Sequence, residues 1–267
     1  MKQPNEQSTP SSESTDVKER YMPSLEFADR HIVITGGAGG IGLACAEHFL
    51  EAGGSVHLID VDRTSLEETH ASLPTHASRV TCSTSDLSSH MECARAIGES
   101  GQAPFALVHM AGIFESDHLD PTDRSGWDRA IASNLTNAYE VALVFRTVRD
   151  TRTPSRMVFS TSRAFQRGTP GRAAYSAAKG GIVGLVRAFS RDFAPDILVN
   201  AVSPGLIQTR MTEALIARHG EQRLAEIPLQ RFGMPADVAN VVGFLCSEAS
   251  SYVTGQMITV DGGVING

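Results

Sequence analysis

Ser162, Tyr175 and Lys179 are the residues of this 267-residue chain whose types and spacing point to chemistry. Lys179 stands out because positive charge is otherwise carried by arginine; the only other lysines, Lys2 and Lys18, lie in a polar leader. A compact ammonium that can shift a neighbour's pKa differs from a planar, permanently charged guanidinium, so one lysine among arginines marks a chemical demand. In a helix, residues four apart share a face, which sets Lys179 beside the phenol of Tyr175. A free tyrosine titrates near ~10, and a base working near neutrality needs that brought down by roughly two to three, about 3 to 4 kcal/mol. A nearby cation acts in that direction. Taken alone, Tyr-x-x-x-Lys is also a pair that a solvated helix face shows by chance.

The elements that must hold this pair alternate from His31 onward. Short apolar runs read as strands over His31–Thr35, Ser55–Asp60, Arg79–Cys82, Phe105–Met110, Met157–Ser160, Ile197–Val202 and Met257–Val260. Helical patterns fall between them, over Gly40–Ala52, Arg63–Leu73, His90–Gly98, Ser125–Asp150, Arg172–Phe193 and Pro235–Glu248. In the first, Ile41, Cys45 and Phe49 form an i, i+4, i+8 face that must pack on a sheet. The alternation predicts βαβ units and a single α/β domain over residues 25–267, a doubly wound seven-stranded parallel sheet that takes ligands at the carboxyl ends of its strands. Residues 1–24 are rich in Ser, Thr, Glu and Pro and nearly devoid of apolar residues, and are expected to be a disordered tail.

A glycine run, Thr35-Gly36-Gly37-Ala38-Gly39-Gly40-Ile41-Gly42, falls between the first strand and the first helix. Glycine there permits a tight turn and close approach to a pyrophosphate, while the helix N-terminus supplies N–H groups and a positive dipole end. Two registers fit: Gly37, Gly39 and Gly42, or Gly36, Gly40 and Gly42. Asp60 closes the second strand, 20 residues after Gly40, near the spacing of a carboxylate that accepts from a ribose hydroxyl. It would repel the 2′-phosphate of NADP, and neither the turn nor Val61 supplies an arginine to bind one, so the expected cofactor is NAD. A helix cap for Asp62-Arg63-Thr64 is the competing role for Asp60.

Bulk properties narrow the field. A net charge of −7 and a pI near 5.7, with no cluster of Lys and Arg, argue against a nucleic-acid partner. Cys45, Cys82, Cys93 and Cys246 lack the short paired spacings of a zinc site and the density of a disulfide framework, and read as thiols of a reducing compartment. No metal is expected. Without an apolar stretch of about 18 residues or the core of a signal peptide, no membrane partner is expected and the cytoplasm is the default.

With these motifs in place the chain resembles the short-chain dehydrogenase/reductase family, from about residue 28 to its C-terminus. The Thr35-Gly36 to Gly42 turn resembles the family's TGxxxGIG, Asp86 with Leu87 its adenine-contacting pair, and Asn134 its helix asparagine. Ser162 precedes Tyr175 by thirteen residues, the family's usual spacing. Asn200-Ala201-Val202-Ser203-Pro204-Gly205 is similar to the strand and turn beside the nicotinamide, with Ile207 and Thr209 in cofactor-contacting positions. The closing Gly255-Gln256 and Val260-Asp261-Gly262-Gly263 also look familial. The chain departs at His109-Met110-Ala111-Gly112, where the family usually has Asn-Asn-Ala-Gly; Ala111 and Gly112 still allow close cofactor approach, and His109 reads as a structural histidine ahead of a pocket residue.

The resemblance implies a Rossmann-type, three-layer α/β/α fold and a division of labour. Tyr175 exchanges a proton with the substrate oxygen, Ser162 holds that oxygen, Lys179 lowers the tyrosine pKa and binds the nicotinamide ribose, and Asn134 holds a water in a proton relay. Gly36, Gly39, Gly40, Ile41 and Gly42 would cradle the cofactor with Asp60, Asp86, Leu87, Ala111, Gly112, Pro204, Gly205, Ile207 and Thr209. Phe114, Phe165, Gln166 and the lid segment Met211 to Leu229 should line or cover the pocket, Arg163 and Arg167 being solvated or facing an anionic substrate. The long helices from Ser125 and Arg172 resemble those that pair subunits, implying a homotetramer or dimer. The expected reaction is NAD(H)-dependent oxidation of a secondary alcohol or reduction of its ketone. An NADPH-dependent 3-oxoacyl-[acyl-carrier-protein] reductase and a non-catalytic dinucleotide-binding regulator remain as alternatives.

Overall fold

The computed structural model describes residues 26–265, so the tail expected over residues 1–24 lies outside the described residues. Strand β1 (His31–Thr35) is buried along its whole length. Its Ile32 and Ile34 enter one apolar cluster and Val33 the other, the two-residue period of a strand covered on both faces. The remaining strands are β2 (Ser55–Asp60), β3 (Val80–Thr84), β4 (Ala106–His109), β5 (Ser155–Ser160), β6 (Ile197–Pro204) and β7 (Met257–Val260). They form one seven-stranded parallel sheet in the order β3-β2-β1-β4-β5-β6-β7. The order reverses between β1 and β4, the switch point at which such sheets open a crevice at their carboxyl ends.

Helix α1 (Gly40–Glu51) and helix α9 (Pro235–Cys246) cover one face; Cys45 and Phe49 are fully buried there with Val238, Val242 and Leu245. Ile41 departs from the expected face: it is only partly buried, because it sits at the first turn and also lines the crevice. The other face packs on α3 (His90–Gly98), α5 (Asn137–Val148) and α7 (Ala173–Asp192), through Ile97, Val141, Phe145, Ile182 and Val186. Helix α2 (Arg63–Ala71) lies between β2 and β3, with Asp62 as its N-cap, accepting from Ser65 N.

The single helix expected over Ser125–Asp150 is interrupted. Helix α4 (Ser125–Ile131) passes into a π-helical turn at Ala132–Thr136 before α5 begins. A π turn inserts one residue into the helical ladder and re-aims the side chains on it; Asn134 is among them. The lid segment also contains a helix that the sequence pattern did not show, α8 (Arg210–Ala225), kinked at His219. None of its residues is buried, so it has no apolar stripe from which a helical period can be read. One short helix, α6 (Ala164–Arg167), follows β5. Among the described residues, no helix is long and apolar enough to cross a membrane and no group of three or more His, Cys, Asp or Glu is placed to hold a metal.

Candidate active site

The glycine turn is built where β1 hands over to α1. Gly36 has φ +67, and a Cβ on it would lie 2.7 Å from Ala111 N. At Gly42 a Cβ would stand 2.1 Å from Gly36 O. Both positions exclude a side chain, one by conformation and one by packing of helix on turn; Gly42 is common to both registers, and the left-handed backbone at Gly36 adds weight to Gly36, Gly40, Gly42. Asp60 reaches back from the end of β2: its Oδ2 accepts from Ala38 N at 3.1 Å and its Oδ1 from Asp62 N at 3.3 Å. The helix-cap role belongs to Asp62, so Asp60 braces the turn.

The candidate reactive side chains converge from the end of β5, the π turn and α7. Lys179, 4% exposed, donates from Nζ to Ser160 O at 3.0 Å and lies 5.8 Å from the Tyr175 ring centroid. Burial lowers its pKa from 10.5 to about 8. Burial also raises the Tyr175 phenol above its ordinary value, opposed by the Ser162 hydroxyl and the Arg172 guanidinium. Arg172, three residues earlier, is a cation that favours the phenolate, while the Lys179 ammonium is directed at Ser160 O. Arg172 donates to Phe114 O at 2.9 Å with its guanidinium carbon 3.6 Å from the Phe114 centroid, and that ring meets Tyr175 edge-on at 4.9 Å between centroids. Ser162 Oγ accepts from Ala164 N at 3.1 Å, which orients the hydroxyl.

Asn134 is fully buried, its Nδ2 donating to Ala130 O at 2.9 Å and Ile113 O at 3.2 Å. Its Oδ1 has no partner and faces Gly112, where a Cβ would fall 2.4 Å from Oδ1 and 3.3 Å from Lys179 Nζ. The absence of a side chain at Gly112 thereby lets the Asn134 amide pack directly against the backbone that follows β4, beside the Lys179 ammonium. His109 takes up the bracing role of the missing asparagines: its Nδ1 pairs with Thr35 Oγ1 at 2.8 Å, tying β4 to β1. Burial, aided by the charge of Lys179, lowers its pKa to about 3, so the imidazole is neutral. His109 does not line the crevice, whereas Met110 does.

These groups border one cavity of about 810 Å³. Its wall includes Gly36, Gly39, Gly40, Ile41, Gly42, Gly112, Asn134, Ser162, Tyr175, Lys179, Pro204, Gly205, Ile207 and Thr209, fourteen expected positions brought together from six segments of the chain. Asp60, Asp86, Leu87 and Ala111 lie outside this wall. Asp60 and Ala111 back the glycine turn. Asp86 is exposed beyond β3, its Oδ1 accepting from Ser88 N at 2.9 Å, and the Leu87 side chain enters the core with φ 54 in its backbone.

On the substrate side, Phe114, Met211, Thr212 and Leu215 line the cavity. Phe165 and Gln166 do not, contrary to expectation, because α6 turns Phe165 against Gly180 of α7. Arg163 and Arg167 both face the cavity, joined by Arg223 of α8, which lies within the lid segment expected over Met211 to Leu229 but was not singled out in it. Arg172 was also missed; its i, i+3 spacing to Tyr175 on a helical segment was the available signal.

A family model described as enoyl-(acyl carrier protein) reductase matches residues 36–265. Among curated relatives, the 3-oxoacyl-[acyl-carrier-protein] reductase FabG of Thermotoga maritima is 33% identical over 237 residues, covering 87% of this chain and 96% of the relative. The 2-(S)-hydroxypropyl-CoM dehydrogenase 3 of Xanthobacter autotrophicus is 35% identical over 243 residues, covering 87% and 95%. The crystal structure of a short-chain dehydrogenase/reductase described as glucose/ribitol dehydrogenase from Brucella melitensis superposes with a TM-score of 0.85 at 36% identity, over 91% of this chain and 99% of that one.

Proposed function

The chain belongs to the short-chain dehydrogenase/reductase family, oxidoreductases of alcohols and ketones that use a nicotinamide dinucleotide, and from that premise we propose that it works with NAD(H) on a secondary alcohol or its ketone, Tyr175 serving as acid and base. The observation that carries this reading is the meeting of Ser162, Tyr175, Lys179 and Asn134 on one cavity that the glycine turn also lines. That turn, the N-terminus of α1, and the unpartnered Asn134 Oδ1 near Lys179 Nζ fit a dinucleotide. Bound there, the nicotinamide supplies the hydride donor or acceptor.

The protein's own groups manage the proton. With its pKa held high, Tyr175 is protonated near neutrality, the form that donates to a carbonyl oxygen being reduced. In the oxidative direction the phenolate takes the alcohol proton, favoured by the guanidinium of Arg172. Ser162 donates to the substrate oxygen and Lys179 holds ribose hydroxyls from its anchor on Ser160 O. Asn134, with Oδ1 free to accept, fits a proton relay leading away from the site.

Asp60 supports NAD, since a carboxylate fixed at the turn repels a 2′-phosphate. One observation favours the NADPH reading: Arg210 crosses from α8 to Ser65 at the start of α2, its Nη2 3.2 Å from Ser65 Oγ, and brings a guanidinium to the adenosine end. The likeness to 3-oxoacyl-[acyl-carrier-protein] reductases points the same way. Titration with NADH against NADPH separates the two readings, and reduction of NAD across a panel of secondary alcohols, with Tyr175→Phe as control, tests the reaction. Turnover unaffected in that variant would overturn the mechanism, and dinucleotide binding without turnover on any substrate would favour a regulator. Assembly into a dimer or tetramer is supported by Trp127, Tyr139 and Val148, exposed apolar side chains on α4 and α5. Four free cysteines, three of them buried, fit a reducing cytoplasm.

A further inference from the structure

The wall of the cavity just beyond Ser162 carries charge that the reaction outlined above does not use. Arg163 Nη1 is shut off from solvent and has no hydrogen-bond partner. Arg167 and Arg223 line the same cavity. One carboxylate serves this group: Glu226 accepts from Arg167 at 2.9 Å and lies 3.6 Å from Arg223. Asp261, the other acid acting on Arg163, spends its oxygens on the backbone N–H groups of Gly263, Val264 and Ile265. Burial and the two neighbouring guanidinium groups all weigh against the charge on Arg163. A guanidinium nitrogen cut off from water without an acceptor is costly, and the planar fork it belongs to matches a carboxylate, sulfonate or phosphate. The excess of three guanidinium groups over one paired carboxylate also gives this wall a positive field.

We propose that Arg163, with Arg167 and Arg223 behind it, is an oxyanion-binding subsite for the substrate, which is therefore a ketone or secondary alcohol bearing an anionic group a few bonds from the reacting carbon. Arg163 follows Ser162 directly, so the subsite adjoins the point at which the carbonyl oxygen is held. It lies at the β5 end of the cavity, and the glycine turn at the β1 end is left to the dinucleotide. The inference rests on the dehydrogenase reading for the word substrate, but the anion site itself does not depend on turnover.

The test uses a matched series in which only the terminal group changes: acetoacetate, acetonylsulfonate, acetonylphosphonate and neutral methyl acetoacetate. Each is offered with NADH and with NADPH to the full-length protein and to its Arg163→Gln, Arg163→Lys and Arg223→Gln variants. In the wild type kcat/KM for at least one charged member should exceed that for the ester by roughly 10- to 100-fold, the worth of one to two hydrogen bonds to a charged group. Arg163→Gln should collapse that ratio toward one chiefly through the KM of the charged ketone, with Arg163→Lys retaining part of it. The same order of effect is expected when acetonylphosphonate binding is read by thermal shift, which needs no turnover. Equal use of ester and acid overturns the subsite while leaving the dehydrogenase intact. A rise in the dinucleotide KM, and not the ketone KM, on Arg163→Gln also overturns it, assigning the arginine to the cofactor pyrophosphate. If none of the four ketones is reduced, Arg163-dependent binding of acetonylphosphonate upholds the anion site and the dehydrogenase reading is decided by the alcohol panel, whereas absence of that binding sinks the subsite.

Discussion

Lys179 Nζ donates to Ser160 O at 3.0 Å, tying α7 to the carboxyl end of β5. The buried cation is held for the cavity at a cost to the fold. Its pKa is depressed from 10.5 to about 8, so between those values the unfolded chain keeps a proton that the folded one has lost, and stability rises with pH. Below about 8 the charged form is buried at a penalty of roughly 3 kcal/mol. Lys179→Met should therefore melt higher than wild type at pH 7 in the dinucleotide-free protein, and lack the rise in stability between about pH 8 and 10.5 while losing activity. Identical pH-stability curves for the two proteins would contradict this.

Tyr175→Phe keeps the edge-on contact with Phe114 and removes only the hydroxyl proposed to carry the proton. Turnover should fall by about 10²- to 10⁴-fold in both directions. Dinucleotide affinity and melting temperature should change little, which separates loss of chemistry from loss of the site.

Arg172 favours the phenolate, so its removal should raise the tyrosine pKa further. In Arg172→Met, which keeps an aliphatic stem over Phe114, the rising limb of the pH profile for alcohol oxidation should move to higher pH. Ketone reduction, which uses the protonated phenol, should persist to correspondingly higher pH. A profile that does not move would show the charge of Arg172 to be fully screened.

On the proposed reading, Asp60 and Arg210 act in opposite senses on the choice of dinucleotide. Asp60→Ala should improve NADPH binding relative to NADH, roughly tenfold for the loss of a repulsive contact of about 1.4 kcal/mol. Arg210→Ala should weaken NADPH alone. Fluorescence titration of each variant with both dinucleotides reads this directly, and equal effects on the two cofactors would remove both residues from the choice.

Gly42→Ala places a methyl group 2.1 Å from Gly36 O, a backbone atom that cannot swing aside. Overpacking of this kind should cost about 1 to 3 kcal/mol. Thermal melting should show the loss, accompanied by weaker dinucleotide binding because Gly36 belongs to the turn that is displaced.

Much of the fold and the site was legible along the chain because it rests on local patterns. Strands β1, β2 and β7 and helix α3 coincide with the expected spans, since apolar runs and helical periods are properties of neighbouring residues. The glycine turn and the Ser162, Tyr175, Lys179 spacing were legible for the same reason: each lies within a short segment and serves a chemical need that few residue types meet. Helix α8 was not legible as a helix, because it buries no residue and so shows no apolar period. The π turn escaped too, since Asn134 earns its place through bonds to Ala130 O and Ile113 O, and the latter lies 21 residues away.

Residue types and spacing along the chain thus determined the parallel sheet and pointed to the glycine turn and to the groups proposed to react. Only the tertiary structure decided which charges meet. It directs Lys179 to Ser160 O, gives Arg172 to the phenol, brings Arg210 across 145 residues to Ser65, and leaves Arg163 without an acceptor while Glu226 serves Arg167 and Arg223. Electrostatic partners are chosen by distance in space and by exclusion from water, and neither is written in the local periodicity of a sequence.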